Sequence, residues 1–265
     1  MDIIKPIFKW AGGKRQLLPY LKELFPTKFN KYIEPFVGGG AVFFYLKPEI
    51  SIISDSNDEL INAYKTLSSN SEDVIKELKN YENTKEFFYK IRSEELCDTV
   101  TKAARTIYLN KTCFNGLYRV NKKGKFNVPF GYYKNPKYLD KDNLVLAVEL
   151  LKKATILSMD YKKVLESFSE KDDFIFLDPP YLPVSKYSDF KRYTKEQFYL
   201  EDHKELADYF HLLNKKKCKV ILTNSNNQEI LKLYKDFNIK ILDTKRSINS
   251  HGRGRVGKDI IVSNF

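Results

Sequence analysis

Phe174-Ile175-Phe176-Leu177-Asp178-Pro179-Pro180-Tyr181 is the stretch from which the rest of the chain can be ordered. Its first half is short, aromatic and β-branched without polar alternation, the pattern of a strand buried on both faces of a parallel sheet. The run ends in a carboxylate. Two prolines then forbid helix and strand alike, so the chain leaves the carboxyl edge of the sheet as a stiff loop, where open α/β sheets bind ligands. Asp178 and Tyr181 are therefore expected to face a crevice. Asp178 and the Pro179 carbonyl can both accept from an exocyclic amine, and the Tyr181 ring offers a stacking face. Taken alone, Asp-Pro-Pro also describes an ordinary strand-ending turn.

Outward from this stretch, strand and helix patterns alternate. Tyr32-Ile33-Glu34-Pro35-Phe36-Val37-Gly38-Gly39-Gly40-Ala41 reads as a strand breaking into a glycine loop ahead of the helical Val42-Phe43-Phe44-Tyr45-Leu46. Glycines let a ligand lie against the backbone, and Glu34 would repel phosphate but welcome an amino group. Ile50-Ser51-Ile52-Ile53-Ser54 is a second strand closing on Asp55, placed to bind both hydroxyls of a ribose and also able to cap a helix. After the central motif come Lys219-Val220-Ile221-Leu222-Thr223-Asn224-Ser225 and two further strands, around Ile239-Lys240-Ile241-Leu242 and Ile260-Ile261-Val262. At the start, Phe8-Lys9-Trp10-Ala11-Gly12-Gly13-Lys14-Arg15 precedes a helical pattern through Leu17, Leu18, Leu21 and Leu24. Trp10 and Lys14 suit a small ligand carrying a ring or cation and a carboxylate. Neither Gly-Gly-Lys here nor the formal G-x-x-x-x-G-K from Gly252 to Lys258 fits a phosphate loop: Phe8 and Arg15 stand at wrong positions in the first, and Asp259 replaces the required hydroxyl in the second.

Between residues 56 and 140 the sheet pattern gives way to charged helical periodicity, with helices expected over 71–80, 84–93 and 98–111, and the segment reads as an inserted helical domain. Its end changes character. From Phe114-Asn115-Gly116-Leu117-Tyr118-Arg119 to Pro129-Phe130-Gly131-Tyr132-Tyr133-Lys134, cations are interleaved with aromatics, and Lys123-Gly124 marks a hairpin turn at about 117–130. That mixture suits phosphates and bases. The loop over 185–195 is expected to close over substrate, and Arg246 and Arg253 belong to a basic loop suited to gripping phosphates.

Composition agrees. The chain has 265 residues with 46 Lys plus Arg against 34 Asp plus Glu, a formal charge of +12 that favours a polyanionic partner. No apolar run approaches the roughly 20 residues of a membrane span, so a soluble cytoplasmic protein without a membrane partner is expected. Cys97, Cys113 and Cys218 are far apart, and His203, His211 and His251 have no ligand spacing, so neither disulfide nor metal is expected.

In order, Phe8-Lys9-Trp10-Ala11-Gly12-Gly13-Lys14, Glu34-Pro35-Phe36-Val37-Gly38-Gly39-Gly40, Phe114-Asn115-Gly116-Leu117-Tyr118-Arg119 and Asp178-Pro179-Pro180-Tyr181 resemble the Dam-type family of DNA adenine-N6 methyltransferases, of the alpha class. The likeness continues through Lys125-Phe126-Asn127-Val128-Pro129-Phe130-Gly131 and Arg246-Ser247-Ile248 and so spans nearly the whole chain. It implies an α/β fold with a Rossmann-like sheet binding S-adenosylmethionine, released as S-adenosylhomocysteine, over residues 1–55 and 141–265. Residues 56–140 would form a target-recognition domain for double-stranded DNA. By this resemblance the catalytic set is Asp178, Pro179, Pro180 and Tyr181; the cofactor set is Trp10, Lys14, Glu34, Phe36, Gly38, Gly40, Asp55 and Asp178. Lys9, Phe114, Asn115, Leu117, Arg119, Asn121, Pro129, Tyr133, Arg246 and Arg253 would contact DNA, with Phe114 intercalating. The implied target is an adenine in GATC or a longer GAT-containing site, and a restriction-modification role would add a cognate restriction endonuclease as partner. Many relatives have Phe-Gly-Arg-Tyr where this chain has Phe130-Gly131-Tyr132-Tyr133, so one basic contact is lost or moved. Two other readings fit parts of the pattern. A methyltransferase of RNA or a protein amide would share the Pro-Pro-Tyr loop without requiring the basic hairpin, and a DNA-binding module with a decayed site would share the charge without binding cofactor.

Overall fold

The computed structural model describes residues 3–10, 12–121, 123–182, 198–245 and 256–265. Within them the elements run α1 (Leu18–Leu21), β1 (Tyr32–Glu34), α2 (Ala41–Leu46), β2 (Ser51–Asp55), α3 (Asp58–Lys79), α4 (Lys85–Ser93), α5 (Thr99–Thr112) and α6 (Lys141–Leu151). They continue with β3 (Ala154–Ser158), α7 (Tyr161–Phe168), β4 (Phe174–Leu177), α8 (Leu200–Lys215), β5 (Lys219–Ser225), α9 (Gln228–Leu233), β6 (Asn238–Lys245) and β7 (Val256–Ser263). The described strands form one sheet in the order β3-β2-β1-β4-β5-β7-β6. It is parallel except for β7, which lies antiparallel between β5 and β6.

The order reverses direction between β1 and β4, which pair in parallel with Tyr32 opposite Phe174. At such a reversal the loops leaving neighbouring strands diverge and open a crevice. The glycine loop leaves β1 there, and the Asp178 loop leaves β4. Both strands are buried throughout. Their side chains alternate: Tyr32, Phe174 and Phe176 join the cluster that contains α3, α5 and α6, whereas Ile33, Ile175 and Leu177 join the cluster under α7 and α8. The fold is thus the expected Rossmann-like α/β arrangement, with helices against both faces.

The helices start where capping residues allow. Asn57 accepts from Leu60 N at α3, Thr84 from Phe87 N at α4 and Asp98 from Thr101 N at α5. Asp58 and Glu59 open α3 and Lys76 and Lys79 close it, favourable at both ends of the helix dipole. The helix expected to begin at 71 is the second half of α3, set off from the first half by a kink at the non-helical Asn70, at φ −134° and ψ 45°. The basic hairpin is less regular than its alternation suggests. Val120 bridges Phe126 and Cys113 bridges Phe130, without a continuous ladder between them. Pro129 has no N–H to give, and Asn115 and Tyr132 both turn the chain at φ 54°. The expected helix from 17 to 24 is only a 3-10 turn, Lys14–Gln16, followed by the short α1.

Cys97, Cys113 and Cys218 are free thiols. No helix among the described residues is long and apolar enough to cross a membrane. The expected substrate-closing loop at 185–195, and Arg246 and Arg253, lie outside the described residues.

Candidate active site

β4 delivers Asp178 to the crevice, half-buried, at the point where the Pro179 and Pro180 pair ends strand pairing. From the N-terminal segment, Lys14 reaches the same place, 4% exposed. Its ammonium lies 2.7 Å from Asp178 Oδ2 and 4.8 Å from the centre of the Tyr181 ring, and it also donates to the Gly12 carbonyl. The other carboxylate oxygen, Oδ1, accepts from the Thr223 hydroxyl at 2.8 Å. Both oxygens are therefore oriented by the protein.

The electrostatics follow from this geometry. Burial by itself would depress the Lys14 ammonium, but the Asp178 carboxylate and then Tyr181 outweigh it, so its pKa stands above the ordinary value. Burial lifts the Asp178 carboxyl, and Lys14 offsets part of that rise. Burial likewise raises the Tyr181 phenol, which stays protonated.

The loop is also held from behind by the end of β5. Ser225 Oγ donates to the Leu182 carbonyl at 3.2 Å, and the Asn224 amide nitrogen lies 3.4 Å from His203 Nδ1 on α8. Burial pushes the fully enclosed His203 imidazole down to about 4, so it is neutral. Thr223, Asn224 and Ser225 are a polar run ending an apolar strand. That is the one signal by which the sequence could have exposed them as supports.

Across the crevice the glycine loop packs against Trp10. Gly38 sits at φ +45°, and a Cβ there would fall 2.7 Å from Trp10 Cδ1. Its N–H donates to Asp55 Oδ2 at 3.0 Å, while Asp55 Oδ1 accepts from Asn57 N at 3.0 Å. Burial pushes the Asp55 carboxyl up to about 6 against these backbone donors. Glu34 lies beneath the loop, 3% exposed, accepting from the Tyr32 hydroxyl at 2.9 Å, and burial raises its carboxyl well above the usual range. Phe36 packs at 5.1 Å from the Tyr161 ring, at the side of the crevice nearer α7. Gly40 begins α2.

Trp10 also meets the hairpin. Its ring stacks on Tyr118 at 5.1 Å and 24°, and Tyr118 precedes Arg119 in the chain. Arg119 Nε donates to Asn127 Oδ1 at 2.8 Å across the hairpin. Lys9 is exposed with its ammonium 4.5 Å from the Tyr133 ring centre. Phe114 is 50% exposed, Asn115, Asn121 and Pro129 are exposed, and Leu117 is half-buried. Tyr132 is 69% exposed with its ring 5.0 Å from Phe130. The structure thus brings Lys14, Asp178 and Tyr181 together, sets Trp10, Gly38 and Asp55 beside them, and leaves an open rim of Lys9, Phe114 and Tyr133.

Sequence comparison supplies the family. Residues 10–248 match the model of the D12 class N6 adenine-specific DNA methyltransferases. The type II methyltransferase M1.LlaDCHI of Lactococcus lactis subsp. cremoris is 43% identical, the match covering 99% of this chain and 96% of that one. Type II methyltransferase M.MjaIII of Methanocaldococcus jannaschii is 44% identical over 95% of both. The DNA adenine methylase of Haemophilus influenzae is 34% identical, covering 98% of this chain and 93% of its own. With its sheet reversing at the Asp-Pro-Pro-Tyr loop and a family match that runs from Trp10 almost to the last strand, the chain belongs to the D12 class N6 adenine-specific DNA methyltransferases.

Proposed function

We propose that this methyltransferase takes methyl from S-adenosylmethionine and places it on N6 of an adenine rotated out of duplex DNA. The observation that carries the reading is the nitrogen cation already seated between the Asp178 carboxylate and the Tyr181 ring. A site that holds an ammonium there has the acceptors and the flat face that a base amine needs.

The residues present fit the cofactor. Trp10 over Gly38 offers a ring face, Asp55 two carboxylate oxygens for a ribose diol, and Lys14 a cation for the amino-acid carboxylate. When bound, S-adenosylmethionine supplies an electrophilic methyl group. Asp178 and the Pro179 carbonyl accept the two N6 hydrogens, which fixes the amine and draws its lone pair out of the ring. Asp178 also stabilises the positive charge that grows on nitrogen, so the protein contributes positioning and preorganised electrostatics. Thr223 keeps the carboxylate from turning. Lys14 must yield Asp178 to the amine, and a cofactor carboxylate is the anion suited to draw it away.

Residues 56–140 would act as the target-recognition domain, with the hairpin in the major groove, Phe114 as the intercalating wedge, and Lys9, Asn115, Leu117, Arg119, Asn121, Pro129 and Tyr133 along the bases and backbone. Arg246 and Arg253 would grip flanking phosphates. The target would be GATC or a longer GAT-containing site, and a cognate restriction endonuclease would be the partner in a restriction-modification system. Methylating a plasmid in vitro and mapping N6-methyladenine by sequencing tests activity, base and site together; methylated cytosine, or none at all, would refute the reading.

Two outcomes are specific to this geometry. Arg119→Ala should cost roughly 1–3 kcal/mol of discrimination at one base pair, measured as the ratio of rates on cognate and single-substituted duplexes. Cofactor affinity should change less.

The second concerns pH. The unfolded chain titrates Asp55 near its ordinary value of about 4, whereas burial raises it to about 6 in the fold. The stability contributed by this group is therefore full below the unfolded value and lost as pH rises through about 6. Cofactor binding through the carboxylate has the opposite dependence. Calorimetry should show affinity for S-adenosylmethionine weakening as pH falls below about 6, and Asp55→Asn should remove that dependence.

A further inference from the structure

Asn110 is on the last turn of α5, 1% exposed. Its carboxamide is used at both ends. Oδ1 accepts from Lys9 N at 2.8 Å, and Nδ2 donates to Lys9 O at 2.7 Å. One side chain thus reproduces, for a single residue of the N-terminal segment, the pair of bonds that a neighbouring strand would make. Nδ2 also lies 3.5 Å from the Gly116 carbonyl, and the Asn110 main-chain carbonyl accepts from Cys113 Sγ at 3.5 Å.

The residue so held is exposed at its tip. The Lys9 stem lies directly on Gly116, where a Cβ would come within 2.4 Å of Lys9 Cδ, and Gly116 itself sits at φ +60°. The Lys9 ammonium then projects over the Tyr133 ring. Two separate parts of the chain that line the open rim, at Lys9 and at 114–117, therefore meet at one buried amide, and Tyr133 joins them through the Lys9 ammonium.

We propose that Asn110 is a specificity-positioning residue: it sets the Lys9 backbone against the turn at 114–117, so that choice of DNA sequence depends on it more than methyl transfer does. This rests on the reading above in which Lys9 faces the bases. Asn110 touches neither substrate nor cofactor and acts through Lys9. An aspartate in its place keeps the acceptor for Lys9 N but opposes the Lys9 carbonyl, and nothing else of its shape changes.

The test is a double-mutant cycle on the full-length protein with Lys9→Ala, Asn110→Asp and the pair, each assayed for kcat and KM on a cognate duplex and on duplexes altered at one base pair. Asn110→Asp should reduce the preference for cognate DNA about tenfold or more, the scale of one base contact, with kcat on cognate DNA changed much less than the preference. The pair should lose no more discrimination than Lys9→Ala alone. Gly116→Ala, which disturbs the same contact from the opposite side, should lose it too, and serves if Asn110→Asp does not fold.

The outcomes separate. If the wild-type protein neither methylates nor discriminates, the functional reading falls and takes this inference with it. If Lys9→Ala keeps full selectivity, the role of Lys9 is wrong and the inference is overturned. If Lys9→Ala loses selectivity while Asn110→Asp and Gly116→Ala keep it, or if Asn110→Asp slows all duplexes equally, the inference alone is overturned.

Discussion

Asp178→Ala should bind duplex DNA and transfer methyl at least about a hundredfold more slowly than the wild-type protein, the scale of removing one preorganised polar group. The loss has two sources. The amine forfeits its acceptor, and Lys14, 4% exposed and paired with Asp178 at 2.7 Å, is left as a buried cation. Stranding one member of such a pair costs about 3–5 kcal/mol, so the melting temperature should fall as well. Asp178→Asn separates the two sources, because the amide keeps one acceptor oxygen for the amine while removing the charge that Lys14 needs. Single-turnover rates and DNA affinity, measured on both variants, decide the matter: near-wild-type turnover by the alanine variant would remove Asp178 from the reaction.

Gly38→Ala should weaken S-adenosylmethionine binding about tenfold or more. Two costs act together. A non-glycine residue at φ +45° is strained, by about 1–2 kcal/mol, and the new methyl would stand 2.7 Å from the Trp10 ring, overpacking that typically costs 1–3 kcal/mol. Relief comes only by moving Trp10, which the proposed function uses as a wall of the cofactor site and which is stacked on Tyr118. Gly39→Ala is the control. Its Cβ would meet Phe8 O and Trp10 Cβ at 3.1 Å with no unusual φ, so it should bind better than Gly38→Ala. Equal affinity of Gly38→Ala and wild type, by calorimetry, would exclude Gly38 from the site.

Asp178 and Gly38 are legible in the sequence because each is fixed by local chemistry. A strand buried on both faces must be continuously apolar, so Phe174–Leu177 and its terminal carboxylate stand out; Lys219–Ser225 was legible with the same bounds for the same reason. What the sequence hid is contact between distant segments. Nothing local says that Lys14 lands on Asp178, that Thr223 orients the carboxylate, or that Asn110 holds Lys9. Each pairing is set by strand order and by where α5 crosses the N-terminal segment. Periodicity places a helix start at 71, and the structure has a kink there at Asn70, with both halves of α3 sharing one apolar cluster with α5. Alternation overstated the regularity of the hairpin, whose arms are joined by separate backbone bonds, Asn127 N to Arg119 O and Asn121 N to Lys125 O among them, with the Arg119 side chain adding a bond to Asn127.

α3 bears on how such enzymes change their targets. It begins directly after Asp55, and its first turn carries Glu59, which receives Arg105 of α5 at 2.9 Å and the Tyr118 hydroxyl of the hairpin at 3.3 Å. Its apolar side and those of α5 and α6 share a cluster with Tyr32 and Phe174 of the sheet. A graft that exchanged only the hairpin between two relatives would cut the Tyr118 link to both Trp10 and Glu59 unless the incoming hairpin carried a tyrosine there. New target preferences in this scaffold should therefore arise by piecemeal substitution along the rim rather than by wholesale shuffling of a cassette, and a working chimera would need to bring α3, α5 and the Lys9-Trp10 segment with it.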